Sequence, residues 1–126
     1  MRRLYGALVV LFIAVGLMIT GFLVNTHTAQ AVLADLQEAY SYARNGDTDR
    51  AKNSLTSARQ RWDERLDTML LFESHGRLDE IEEALHKAQD YLDRRELSLF
   101  LAECSSAALL TEHFISVEYP YWNNIF

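Results

Sequence analysis

LYGALVVLFIAVGLMITGFLV, residues 4–24, contains no charged side chain; Arg2 and Arg3 stand before it, and the next acidic or basic residue is Asp35. A helix of this composition has no polar face to turn toward water. A bilayer's hydrocarbon core asks for about 20 apolar residues at a rise of about 1.5 Å each, and the run supplies them. The stretch predicts one membrane-spanning signal-anchor helix over residues 1–25, in contact with lipid through residues 4–24. A helical domain over residues 26–117 and an aromatic tail over 118–126 follow. Two arginines ahead of the run and none just past Val24 orient the N-terminus to the cytoplasm and the domain outward, across a cell membrane crossed once.

The chain has 126 residues, and the part beyond the run suffices for one small domain with a single core. Of 12 basic residues, Arg2 and Arg3 precede the run; ten then face all 18 acidic ones, a downstream balance of −8. An acidic domain argues against nucleic acid, which demands clustered Lys and Arg, and against lying flat on anionic lipid. Cys104 is the single cysteine, so no intramolecular disulfide can form, and its apolar helix favours a buried, inert thiol. Ala29-Gln30-Ala31 has the small-x-small form of a signal-peptidase site, so a cleaved, secreted chain released after Ala31 is the alternative to an anchor. Against it, the apolar run exceeds the 7–15 residues usual in a signal peptide.

Beyond the run, helical periodicity dominates. Leu33, Leu36, Tyr40 and Ala43 recur at intervals of three and four, and nothing breaks the helix before Asn45-Gly46-Asp47. Asp47 or Thr48 caps a second helix with an apolar stripe of Ala51, Leu55, Ala58, Trp62, Leu66, Met69 and Leu70. Ser74-His75-Gly76 punctuates the chain again, and Leu78, Ile81, Leu85, Ala88 and Leu92 form the stripe of a third helix. A charged corner, Asp93 to Glu96, precedes a last helix from about Glu96 to Ser116 that is apolar around much of its circumference. No segment alternates with period two. The expected fold is all-α: the transmembrane helix and then a small antiparallel bundle of two helical hairpins. Leu36, Ala39 and Ala43 echo Ile81, Ala84 and Ala88, a weakly tetratricopeptide-like repetition.

Few residues offer chemistry. His75, His86 and His113 are the histidines a catalytic or metal site would use, with Glu82 and Glu112 as carboxylate partners. No pair of these histidines has the three-to-five spacing of paired ligands, and HExxH is absent. A metal-binding sensor or enzyme using His75, Glu82 and His113 requires the fold to gather residues that the sequence keeps apart. The ordinary explanation of Trp62 is packing. Tyr121, Trp122 and Phe126 in the tail either clip the bundle shut or form an interaction surface at the membrane interface.

The single N-terminal apolar run, Gly46-Asp47 leading to Ala51, Trp62, the His75 turn with Asp79-x-Ile81-Glu82, His113 and the closing Asn124-Ile125-Phe126 resemble a bacterial family. It comprises short membrane proteins catalogued as a domain of unknown function, family 4363. Glu118 to Asn123 departs from the charged linker expected there. The resemblance implies a helical extracytoplasmic domain working beside another membrane protein. It also implies a polar-aromatic cluster of Trp62, His75, Glu82 and His113 inside the bundle. The expected function is a binding or scaffolding module for another envelope protein, without catalysis or cofactor; a homo-oligomer belongs to the same class.

Overall fold

A computed structural model describes residues 1–70 and 75–118, with the backbone alone at Thr68, Leu70 and 116–118. The described residues are all-α, without a strand: α1 spans Arg2–Arg44, α2 Thr48–Leu70, α3 His75–Asp93 and α4 Leu97–Glu118. Tyr121, Trp122 and Phe126 lie outside the described residues.

α1 is one unbroken helix of 43 residues with two environments. Residues 1–20 are exposed throughout, and burial begins at Asn25. From there α1 is a wall of the bundle, where Ala29, Val32, Leu36, Ala39 and Ala43 are buried. The polar residues Asn25, Thr26 and Thr28, just past the apolar run, are likewise buried. Leu33 and Tyr40, expected on the buried stripe, are half-buried. The physical reason is that α1 packs on two neighbours, α2 and α4. Its innermost line is therefore set by alanines that admit close approach, and the larger side chains flank it.

The helices pack in a ring: α1 on α2, α2 on α3, α3 on α4 and α4 on α1. The sequence left α4 either central or awaiting a partner, and the structure makes it a fourth wall. Phe100, Cys104, Ala107, Thr111 and Phe114 point inward, while Leu97, Leu99 and Leu109 are exposed. Trp62 reaches from α2 to Phe114 on α4, their rings 6.2 Å apart between centroids and at 73°, an edge-to-face pair that fills the middle of the ring.

Two corners of one design close the far end of the bundle. At the first, Gly46 N–H donates to Ala43 O (3.1 Å) and Asp47 N–H to Tyr42 O (2.9 Å). At the second, Arg95 N–H donates to Leu92 O (3.1 Å) and Glu96 N–H to Tyr91 O (2.9 Å). Both are Schellman endings with a left-handed residue, Gly46 at φ 85° and Arg95 at φ 58°. Lys52 Nζ lies 3.6 Å from Asp93 Oδ1 and ties the two corners together. Asp47 is the cap of α2: its Oδ1 accepts from Arg50 N–H at 3.2 Å.

The corners correct the register of the internal echo by one helical turn. Aligning Gly46 with Arg95 pairs the buried Ala29, Val32, Leu36, Ala39 and Ala43 with the buried Leu78, Ile81, Leu85, Ala88 and Leu92. In the next helices Leu55 then pairs with Cys104 and Trp62 with Thr111.

The left-handed residue makes these corners testable. A Cβ at Gly46 meets nothing within 4 Å, so Gly46→Ala costs only the backbone term, about 1 kcal/mol, or a fall in melting temperature of roughly 5 °C. Arg95→Gly removes the same strain and raises the melting temperature by a smaller amount, because glycine also loses more entropy on folding. Circular dichroism melts of both variants check the opposite signs.

Candidate functional site

Of the four residues expected to cluster, the fold buries one. Trp62 is fully buried, whereas His75, Glu82 and His113 are exposed. The expected polar-aromatic cluster inside the bundle is therefore not assembled, because the three polar members lie off the buried stripes of α3 and α4. His75 sits at the start of α3 and Glu82 about two turns along it. Among the described residues no three His, Cys, Asp or Glu side chains are grouped to hold a metal ion, so the trio of His75, Glu82 and His113 is not brought together as ligands.

His113 belongs instead to a shallow groove between the start of α3 and the end of α4. Arg77, Glu80, Ile81, Leu110, His113 and Phe114 line about 210 Å³ there. Its floor is apolar and its rim mixes both signs of charge.

Cys104 lies on the inward face of α4. Its Sγ–H donates to Leu36 O on α1 at 3.3 Å, and burial pushes the thiol pKa up to about 12. At neutral pH the thiolate is then scarcer than in an unfolded chain by about three orders of magnitude, given an ordinary thiol pKa of 9.0. Labelling of the native protein by a chromogenic disulfide reagent at pH 7.5 should be slower than in denaturant by at least that factor. Equal rates would show that the α1–α4 seam opens freely.

Asp35 on α1 accepts from Arg61 Nε on α2 at 2.8 Å. Burial raises the Asp35 carboxyl pKa, and the neighbouring guanidinium offsets that only in part. The pair orients two helices without being a strong source of stability.

The remaining distinctive surface is on α4. Beyond the apolar run, the exposed large hydrophobic residues among those described are Leu97, Leu99 and Leu109. Leu99, Ala102, Ser106 and Leu109 follow a three-four spacing along one exposed face. Sequence reasoning did not separate this strip from the core stripe because both are apolar. What distinguishes them is the position of the two neighbouring helices.

The geometry is that of a ring of helices on an apolar stem, and residues 23–125 match a family described as Domain of unknown function (DUF4363). The chain belongs to the DUF4363 family. The matched residues take in the whole bundle and leave out nearly all of the apolar run, so what DUF4363 defines is the helical domain. No curated protein and no solved structure matches the chain. The DUF4363 description carries no activity, and function must be argued from this chain's own surfaces.

Proposed function

We propose that this DUF4363 protein is a single-pass membrane protein with its N-terminus in the cytoplasm, whose outer domain binds or scaffolds another envelope protein. One observation carries the reading. The helix long and apolar enough to cross a membrane is the same helix that forms a wall of the folded domain. A flexible linker would let the domain wander; an unbroken α1 fixes its height and orientation above the bilayer. That rigidity is useful to a module that presents one face to a neighbour in the same membrane. We read the ring as two hairpins, α1–α2 and α3–α4, closed by the α1–α4 contact. The exposed strip Leu99, Ala102, Ser106 and Leu109 is the face we assign to the partner.

Release after Ala31 fits the burial less well. Cleavage there would strip Asn25, Thr28 and Ala29 out of the packed part of α1.

A photo-crosslinking residue placed at Leu109 of the full-length protein, in intact cells, should yield one discrete adduct with another membrane protein. The same residue at the distal Arg44 should not. Adducts of equal yield and pattern from both positions, or none from Leu109, would count against the assigned face.

A further inference from the structure

The geometry points to a binding site for the phosphate of a phospholipid headgroup, in a cleft between α1 and α2 where the bundle meets the membrane. This rests on the membrane-spanning reading of α1. His27, Thr28, Ala31, Arg61, Glu64 and Arg65 line a cavity of about 160 Å³. Its height follows from helix geometry. If hydrocarbon ends near Val24, His27 stands about 4.5 Å above it and Ala31 about 10 Å, at about 1.5 Å per residue. The headgroup layer adds roughly 5–7 Å to each side of the hydrocarbon core, so the cleft opens at the depth of lipid phosphates.

The charges in the cleft are not equivalent. Arg61 is already engaged, its Nε donating to Asp35 at 2.8 Å. Glu64, the one carboxylate of the lining, accepts from Gln60 Nε2 at 3.2 Å, one turn farther from the membrane. Arg65 and His27 have no side-chain hydrogen bond or ion pair among the described residues. A guanidinium fork meets two phosphate oxygens at once, and its alkyl stem can reach down along α1 while the head stays in the polar layer. An imidazole N–H from His27 supplies a second donor one helical turn below Ala31. The domain as a whole is acidic and repels an anionic surface, so a phosphodiester is held here by a local pair of donors and not by general attraction.

Free phosphate shares this chemistry, and the test separates the two sources. Full-length protein in a neutral detergent is offered phosphatidylglycerol, diacylglycerol of the same chains, or inorganic phosphate, and bound species are counted by native mass spectrometry. Wild type should retain one phosphatidylglycerol and no diacylglycerol. Arg65→Gln should weaken retention at least tenfold and His27→Gln severalfold, while Arg44→Gln at the far end leaves it unchanged. Equal retention by wild type and Arg65→Gln, or equal retention of diacylglycerol, would overturn the site. Inorganic phosphate binding without phosphatidylglycerol would overturn the lipid assignment. Flotation with phosphatidylcholine vesicles keeps the premise separate: wild type and Arg65→Gln should both float, and a wild type that does not would overturn the membrane span itself.

Discussion

Removal of residues 1–24 is expected to move the protein from an alkali-resistant membrane pellet entirely into the soluble fraction, with its helical domain still folded. The two halves of this outcome have different causes. The Leu, Ile, Val and Phe residues that dominate the run each favour insertion by about 0.3–0.6 kcal/mol, which over its length gives on the order of 5 kcal/mol. Nothing else in the described chain is long and apolar enough to replace that. The domain survives because the deleted residues are not part of its core: residues 1–20 are exposed, and the buried hydrophobic set starts at Ala29. Two arginines at Val10 and Leu17 should have the same effect without shortening the chain. Each costs roughly 2.5–3.5 kcal/mol near the centre of a span, enough together to cancel the gain. Alkaline extraction followed by circular dichroism of the soluble fraction reads both halves. A truncated chain that stays in the pellet, or an intact one that dissolves, would refute the stem as the anchor.

The run was legible because its signal is additive and needs no partner: the Leu, Ile, Val and Phe residues between Leu4 and Val24 all contribute in the same direction, and no charge opposes them. The corner at Gly46 was legible for a similar reason, since a left-handed residue ending a helix is a local event that glycine announces. Its twin at Arg95 adopts the same conformation with a side chain that announces nothing, and only the hydrogen bonds from Arg95 and Glu96 identify it. The register of the internal echo went astray at the same place. Small and large residues trade places between the halves: Ala29 stands against Leu78, Ala43 against Leu92, Ala51 against Phe100, and Trp62 against Thr111. Matching by residue type favours Ala with Ala, one turn off. Matching by burial pairs positions across this difference in size and requires the structure.

The histidine cluster failed for a related reason. His75 and His113 lie near helix ends and Glu82 in the body of α3, and sequence alone does not fix which way these helices are turned. Burial of Trp62 could be read from its stripe, whereas the exposure of its supposed partners depends on how α3 and α4 are rotated against α1 and α2. Leu99 and Leu109 pose the converse problem, since their apolar character suggests interior places that the ring has no room for. The positions left unexplained by the core are thus surface ones.

Trp62→Ala is expected to cost about 3–5 kcal/mol, a large fraction of the stability of a domain whose total lies near 5–15 kcal/mol. Trp62 is the largest fully buried side chain and the edge-to-face partner of Phe114 across the ring. Phe114→Ala should come close to it, and the double variant should cost less than the sum by about 0.5–1.5 kcal/mol, the part that belongs to the ring pair itself. The discriminating variant is Trp62→Phe. Among the described residues the buried indole Nε1 has no hydrogen-bond partner, and an unsatisfied buried donor typically costs about 1–3 kcal/mol. Phenylalanine removes that donor and keeps an aromatic ring against Phe114, at the expense of a small cavity. The two effects oppose, and the net loss should stay within about 1.5 kcal/mol, well short of alanine. Urea titrations of the full-length protein in mild detergent, followed by circular dichroism, give the order: wild type near Trp62→Phe, then a wide gap to Trp62→Ala. If phenylalanine proved nearly as damaging as alanine, the indole N–H would have to be making a hydrogen bond that holds the ring together. The centre of the bundle would then be a polar site and not the purely packed junction described here.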